Sequence, residues 1–251
     1  MNNTPFHLHN KTIFITGASS GIGRQIALST AEMGGKLIIT GRDKNKLEET
    51  LKLLKGGGHI AFIADLNNLE QIDDLIKKLP KLDGVVMNAG ISEAYPIKYL
   101  TSQKIQETFN VNYNAVVLLM AGITRQKKLI KGASIVFTSS ISSSFPPKGG
   151  AMYSGSKAAI ENFSKVLALE QFQQKIRSNC ITPSMVKTNL YEDLEKTVTK
   201  ESMDTHIKQY PLGVGFPEDV ANCAVFLLSD ASRWITGTSI IVDGGFSLNG
   251  Y

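Results

Sequence analysis

The stretch TGASSGIG, residues 16–23, decides the fold because it joins an apolar run to a helical pattern through a glycine-rich turn. The run Thr12–Thr16 is typical of a buried strand, and a helix is predicted from Gly21 to the glycine pair at 34 and 35. Such a turn directs backbone N–H groups and a helix N-terminus at one point, which favours a bound anion. A Cβ there would hold the anion away or strain φ. The spacing differs from the common G-x-G-x-x-G fingerprint, so an ordinary turn is an alternative.

Short apolar runs alternate with stretches of helical periodicity along the whole chain. This alternation predicts an α/β fold, a doubly wound parallel sheet with helices on both faces. No linker, repeat or low-complexity tract interrupts it, so we expect a single domain over residues 1–251. A helical region is expected at about 102–130, and the pattern is weakest at 187–209. The seven predicted strands are 12–16, 37–40, 60–64, 84–87, 134–139, 178–182 and 238–243.

Composition and charge exclude several function classes. Of 251 residues, 42% are hydrophobic, and 27 Lys and Arg against 22 Asp and Glu give a net charge of +5. The basic residues are scattered, so no nucleic-acid partner is expected. No apolar run approaches the roughly 20 residues of a membrane span, so no membrane partner is expected either. Cys180 and Cys223 lack metal-ligand spacing, so no metal site is expected, and together with an N-terminus unlike a signal peptide they favour the cytoplasm.

The end of the second predicted strand, Thr40-Gly41-Arg42, lies where a dinucleotide-binding sheet reads the adenosine ribose. An acidic residue at this place would bind the free ribose hydroxyls, whereas an arginine suits a 2′-phosphate. Arg42 therefore predicts NADP(H), with NAD(H) as the alternative cofactor. The competing interpretation is that Arg42 only begins a surface loop.

Tyr153 and Lys157 lie four residues apart at the start of a helix predicted over about 152–174, which places both side chains on one face. A phenol with its ordinary pKa of about 10 is a poor acid–base group, but a nearby ammonium lowers that pKa. The pair can then exchange a proton in carbonyl–alcohol interconversion. Chance also produces such pairs in a lysine-rich chain. The position after the fifth strand and a serine cluster, where such sheets bind ligands, favours the functional interpretation.

Taken in order, these stretches resemble the short-chain dehydrogenase/reductase family, in its branch of single-domain enzymes of about this length. The resemblance implies a Rossmann-type fold and an NAD(P)-dependent oxidoreductase acting on a small carbonyl or alcohol, most similar to 3-oxoacyl-(acyl-carrier-protein) reductases. It also implies a homotetramer or homodimer. An alcohol, sugar or steroid dehydrogenase using NAD is an alternative. The matching stretches are TGASSGIG, Asp65, MNAG, VNYNA, IVFTSS, YSGSK, PSMVKT and TGTSIIVDGG.

The resemblance also implies the catalytic residues. Tyr153 would transfer the proton, and Lys157 would bind the nicotinamide ribose and lower the pKa of the tyrosine. Ser140 would hydrogen-bond the substrate oxygen, with a simple strand-end cap as its alternative. Asn112 would position Lys157 through water.

The cofactor contacts that the resemblance implies follow the order of the chain. The glycine turn would hold the pyrophosphate, the residues after the third strand the adenine, those after the fourth the adenosine ribose, and those after the sixth the nicotinamide carboxamide. The predicted contacts are Gly17, Ser19, Ser20, Gly21, Ile22, Gly23, Arg42, Asp65, Leu66, Asn88, Ala89, Gly90, Tyr153, Lys157, Pro183, Val186 and Thr188.

Two residues depart from the family pattern. Met87 stands where the family often has asparagine, and Ser184 replaces the usual glycine beside the nicotinamide, where it is expected to affect the shape of the pocket. The segment at about 187–212 resembles the family's mobile substrate lid, with a pair of ordinary surface helices as its alternative. A non-catalytic NADP(H)-binding redox sensor is a second candidate function, against which the retention of the catalytic residues argues.

Overall fold

The computed structural model contains a parallel sheet with helices packed against it. It describes residues 4–188, 191 and 199–249. The strands within these ranges are β1 (Thr12–Thr16), β2 (Lys36–Gly41), β3 (Ile60–Ile63), β4 (Leu82–Met87), β5 (Leu129–Thr138), β6 (Arg177–Pro183) and β7 (Ser239–Val242). They pair in the order β3-β2-β1-β4-β5-β6-β7, all parallel. The predicted α/β class, seven-stranded sheet and doubly wound arrangement are confirmed.

The helices cover both faces of the sheet. In the described part of the chain they are α1 (Gly21–Glu32), α2 (Lys44–Leu53), α3 (Leu69–Lys78), α4 (Ser102–Phe109), α5 (Ala115–Arg125), α6 (Ala151–Gln171), α7 (Lys200–Ile207) and α8 (Pro217–Leu228). Helices α3, α5 and α6 contribute to one apolar core, and α1, α2 and α8 to the other.

The strands are apolar on both sides because each face of the sheet is covered. Phe14 of β1 and Phe137 of β5 lie in the first core, whereas their neighbours Ile15 and Val136 lie in the second. Successive side chains of a strand point to opposite faces, so a strand between two helical layers must be apolar throughout.

The strand order reverses at β1, which has β2 on one side and β4 on the other. In register, Ile15 is opposite Ile39 of β2 and Val86 of β4. The carboxyl ends of these strands therefore meet at one edge of the sheet, and a crevice at such a reversal is the usual ligand site of open α/β sheets.

The helical region predicted over 102–130 is helical from Ser102 to Arg125, with a π-helical segment, Asn110–Asn114, between α4 and α5. Its predicted end is wrong, because residues 129 and 130 already belong to β5, which begins at Leu129 rather than at 134. Lys127 has φ +52, which ends the helix. The register between β4 and β5 then shifts after the Leu82–Leu129 pair, so the early part of β5 is irregular.

The structure describes only part of the segment over 187–212 that is expected to form a lid. Helix α7 lies within it, whereas residues 189, 190 and 192–198 are outside the described residues. In the part of the chain that the structure describes, no helix is both long and apolar enough to cross a membrane.

Candidate active site

The glycine turn between β1 and α1 has the geometry of an anion cradle. Gly17 has φ +68 and Gly21 has φ +52, both in the left-handed region that favours glycine. A Cβ on Gly23 would lie 2.1 Å from the carbonyl oxygen of Gly17, so only glycine lets the helix start this close to the strand. The side chain of Ser20, the N-cap, makes no capping hydrogen bond. The first N–H groups of α1 are thus without a side-chain cap, as a pyrophosphate site requires.

The segment after β6 lies over this turn. A Cβ built on Gly21 would be 3.4 Å from the side chain of Thr188, which brings together two predicted cofactor contacts that are distant in sequence. Val186 forms a β-bridge with Gly215, and this bridge holds the segment against the loop before α8. Residues from both halves of the sheet therefore border one cleft.

Asn88, which follows β4, ties three strand ends together. The backbone N–H groups of Asn88 and Ala89 donate to the Thr16 hydroxyl at 3.0 and 3.1 Å. The side-chain amide of Asn88 donates to the Gly17 carbonyl oxygen at 3.4 Å, and its Oδ1 accepts from the Thr138 hydroxyl at 3.1 Å. Asn88 therefore has a bridging role that the sequence did not predict, beside the cofactor contact that the resemblance implied.

Lys157 is buried at the end of β5. Its Nζ donates to the Thr138 carbonyl oxygen at 2.8 Å and would lie 3.4 Å from a Cβ on Gly90. Burial lowers the pKa of Lys157 from 10.5 to about 8. The lysine thus holds a fixed position between the ends of β4 and β5, as its predicted role requires.

Tyr153 lies beside Lys157, as the spacing predicts, with the lysine Nζ 5.6 Å from the centre of the phenol ring. Burial raises the pKa of Tyr153 above 10.0, and a hydrogen bond with Ser140 opposes this rise without reversing it. The expectation that Lys157 lowers the pKa of the phenol is therefore wrong for the chain alone. The physical reason is that burial disfavours the phenolate, while the Lys157 ammonium is directed at a carbonyl oxygen.

Ser140 begins a short turn, Ile141–Ser143, and faces Tyr153. Its Oγ accepts a hydrogen bond from the Ser142 N–H at 3.2 Å, so the alternative interpretation as a cap is also observed. The cap and the contact with Tyr153 coexist. Ser140, Tyr153 and Lys157 are thus brought to one place.

Asn112 lies in the π-helical segment and is buried. Its Oδ1 accepts from the Ile91 N–H at 2.8 Å, and its amide donates to the Ile91 carbonyl oxygen at 2.9 Å and to the Ser156 hydroxyl at 3.1 Å. The Ser156 hydroxyl in turn donates to the Tyr153 carbonyl oxygen at 2.7 Å. The side chain of Asn112 thereby joins the loop after β4 to the start of α6, with Ser156 as a partner that sequence reasoning missed.

Two arginines near the ends of β1 and β2 differ in their contacts. Arg24 donates to the Ser19 carbonyl oxygen at 2.8 Å and to the Thr50 hydroxyl at 3.0 Å, and it pairs with Glu49 at 3.2 Å. Arg42 is exposed at the end of β2, and its side chain has no hydrogen bond or ion pair within the described residues. Arg24 thus supports the turn, whereas the guanidinium of Arg42 is available to a ligand.

The residues after β3, for which an adenine contact is predicted, lie beside the end of β2. Asp65 is half-buried, and its carboxylate accepts from the Asn67 N–H at 3.0 Å. Leu66 packs against the apolar core. The Ala64 N–H donates to the Gly41 carbonyl oxygen, which keeps these residues beside the end of β2.

The two departures from the family pattern have different environments. Met87 is buried in the core at the end of β4, where an apolar side chain packs well. The Ser184 hydroxyl lies 2.8 Å from the Tyr210 hydroxyl, which also lies 3.3 Å from Nε2 of His206. Ser184 therefore links the segment after β6 to the residues that follow α7.

Comparisons with known proteins show which family the chain resembles. A family model described as enoyl-(acyl carrier protein) reductase matches residues 17–247. The chain is 34% identical to the 3-oxoacyl-(acyl-carrier-protein) reductase FabG of Rickettsia felis, covering 95% of this chain and 97% of that one. It is also 34% identical to the L-xylulose reductase of Caenorhabditis elegans, covering 96% and 97%.

A solved structure described as an NAD(P)-dependent gluconate 5-dehydrogenase from Beutenbergia cavernae, with bound NADP, superposes with a TM-score of 0.88. It is 30% identical and covers 98% of this chain and 100% of its own. With the glycine turn and the tyrosine–lysine pair in one cleft, these matches place the chain in the short-chain dehydrogenase/reductase family. It is an oxidoreductase of that family, with a site for a nicotinamide cofactor.

Proposed function

We propose that this protein reduces a carbonyl group to a secondary alcohol with NADPH and catalyses the reverse oxidation with NADP⁺. The observation that carries the proposal is the convergence of Ser140, Tyr153 and Lys157 beside the glycine turn. When bound, the nicotinamide supplies or accepts the hydride, which no side chain can do. The protein then has to bind the reactants, exclude water and move one proton.

Tyr153 is the proton donor in this proposal. The phenol holds its proton at neutral pH, and although burial raises its pKa, it can donate that proton because the alkoxide that forms as a carbonyl is reduced is a stronger base than a phenolate. The Ser140 hydroxyl orients that oxygen and stabilises the charge that develops on it. Lys157 keeps its ammonium beside the phenol, and Asn112 fixes the backbone around this pair.

We propose the cofactor contacts that the family resemblance implies. The N-terminus of α1 takes the pyrophosphate, with the residues at 17–23 as its cradle. Asp65 and Leu66 lie at the adenine, 88–90 beside the adenosine ribose, and Pro183, Val186 and Thr188 at the nicotinamide. The exposed guanidinium of Arg42 fits the 2′-phosphate of NADP(H), which is the basis of our preference over NAD(H).

For the substrate we propose a small 3-oxoacyl-type carbonyl compound, in line with the activity for which the FabG relative is named. The sugar activities named for other relatives are the alternative. We also propose a cytoplasmic homotetramer or homodimer, since exposed apolar side chains such as Leu118 of α5 and Leu169 of α6 fit a helical interface. Sedimentation tests the oligomeric state.

The experiment that tests the function is a thermal-shift titration with NADPH and NADH, followed by a panel of 3-oxoacyl, sugar and steroid carbonyl substrates. Ligand binding to the native state raises the melting temperature as its concentration increases. We expect the larger shift with NADPH and NADPH consumption on at least one substrate class. Tight binding without turnover on the whole panel would instead favour a redox sensor, and no shift with either nucleotide contradicts both functions.

A further inference from the structure

One carboxylate oxygen of Glu161, in α6, accepts hydrogen bonds from several hydroxyl groups. Its Oε1 accepts hydrogen bonds from the Ser139 hydroxyl at 2.7 Å and from the Ser143 hydroxyl at 2.6 Å. The Thr182 hydroxyl lies at 3.5 Å from the same atom. These donors come from the end of β5, the turn that follows it and the end of β6, so the carboxylate joins three segments that are distant in sequence.

The two short bonds have the length of hydroxyl-to-carboxylate bonds, which are stronger than those between neutral groups. Glu161 is half-buried, and it forms no salt bridge with the cations of the described residues. A half-buried carboxylate without a cation needs hydrogen-bond donors, and the serine hydroxyls meet this need. The contacts of Glu161 with Ser139 and Ser143 are therefore charge-assisted hydrogen bonds as well as packing contacts.

The two serines lie on either side of Ser140. Ser139 is fixed further by its N–H, which donates to the Ile181 carbonyl oxygen at 2.8 Å. Ser143 closes the turn, since its N–H donates to the Ser140 carbonyl oxygen at 3.0 Å. Holding Ser139 and Ser143 fixes the backbone on both sides of Ser140, and the Ser140 Oγ is placed further by the Ser142 N–H at 3.2 Å and by the Ser142 hydroxyl at 3.1 Å.

We propose that Glu161 is a positioning residue that aims the Ser140 hydroxyl at Tyr153 and at the substrate oxygen. The inference rests on the proposed function for its kinetic consequence. The Ser139 hydroxyl also lies 3.3 Å from the Lys157 carbonyl oxygen, so the inference requires that the effect of Glu161 on turnover passes through Ser140 and not through this contact.

A cycle of variants separates this role from a merely structural one. Glu161→Ala should lower kcat by about tenfold to a hundredfold, the effect seen when residues that orient metal ligands in active sites are removed. NADPH affinity should not change.

Glu161→Gln keeps an acceptor oxygen and should recover most of the activity. In a Ser140→Ala background, Glu161→Ala should lower kcat no further, and Glu170→Gln, at an exposed position of the same helix, is the matched control.

A second measurement needs no substrate. The ionisation of Tyr153 in the chain alone can be followed by ultraviolet difference titration, with the Tyr153→Phe variant subtracted. Because the Ser140 hydroxyl lowers the pKa of the phenol, Glu161→Ala and Ser140→Ala should each raise that pKa, and the double variant should raise it no further.

The outcomes distinguish the two proposals. If Ser140→Ala lowers turnover but Glu161→Ala leaves both kcat and the titration of Tyr153 unchanged, the inference fails and the proposed function stands. If no carbonyl compound is reduced, the proposed function fails, and the titration alone decides the inference. A further loss of turnover in the Ser140→Ala background would overturn the inference in favour of a general structural role.

Discussion

The carbonyl oxygen of Thr138 accepts a hydrogen bond from Nζ of Lys157 at 2.8 Å. The hydroxyl of the same threonine donates to Oδ1 of Asn88 at 3.1 Å. The backbone of Thr138 therefore holds Lys157. Its side chain holds Asn88, which in turn contacts the glycine turn.

Removing this hydroxyl tests the second connection. Thr138→Ala leaves Oδ1 of Asn88, which is half-buried, without its donor, and the free energy of unfolding should fall by about 0.5–1.5 kcal/mol, the usual net contribution of one hydrogen bond. Thr138→Ser keeps the hydroxyl and is the control, with a smaller loss. Denaturant unfolding measures both. Equal stability of the Ala and Ser variants would mean that the bond to Asn88 contributes nothing.

Replacing the phenol tests the proposed proton donor. Tyr153→Phe keeps the ring and its packing but has no proton to donate, so kcat should fall by at least about 100-fold. NADPH binding, measured by thermal shift, should persist. Tyr99→Phe, at an exposed tyrosine, is the matched control and should behave as the wild type. Near-normal turnover of Tyr153→Phe would remove this residue from the mechanism.

Arg42 determines the choice of cofactor in our proposal. Arg42→Ala should weaken NADPH binding by roughly tenfold or more, because charge-assisted hydrogen bonds contribute about 1.5–3 kcal/mol each. NADH binding should be nearly unchanged, since NADH carries no 2′-phosphate. Arg125→Ala, at the C-terminal end of α5, serves as the control arginine. Titration of each variant with both cofactors measures the effect, and an unaltered ratio of affinities would assign Arg42 to a surface loop only.

The buried Lys157 gives a pH dependence of stability. Its pKa falls from 10.5 in the unfolded chain to about 8 in the folded chain, so between these values the unfolded state binds more protons. The contribution of this group to the free energy of unfolding therefore rises as the pH increases from about 8 to 10.5. We expect Lys157→Met to remove that rise and to be more stable than the wild type at neutral pH. Parallel pH-dependent unfolding curves for the two proteins would contradict this.

The pair formed by Ser184 and Tyr210 should couple the segment after β6 to the residues that follow α7. Ser184→Ala and Tyr210→Phe each remove one partner of the 2.8 Å contact, and each should lower the free energy of unfolding by about 0.5–1.5 kcal/mol. The double variant should lose little more than either single variant. Fully additive losses would show that the two hydroxyls do not support each other.

The sequence predicted those features that depend on local pattern. The seven strands follow from apolar runs, the cradle from its glycines, and the Tyr153–Lys157 pair from helical spacing. The start of β5 at Leu129 was missed because an irregular strand beginning with two apolar residues looks like the end of a helix.

The contacts within the site that sequence reasoning missed are those between distant segments. Nothing in the sequence around Glu161 indicates that Ser139 and Ser143 converge on it, because that convergence depends on how α6 packs against β5 and β6. The raised pKa of Tyr153 was missed for a related reason. Burial is a property of the assembled fold, whereas the spacing of a tyrosine and a lysine shows only their proximity.

Thr138 has a consequence for redesign of this protein. In our proposal the residues for the phosphates and for the proton are connected at the ends of β1, β4 and β5, whereas Ser184 and Tyr210 lie beyond β6. Substitutions confined to residues 199–212 should therefore change the substrate preference and leave the proposed cofactor contacts Val186 and Thr188 in place. Grafts that cross the end of β5 should disturb the phosphate cradle and the proton donor at once.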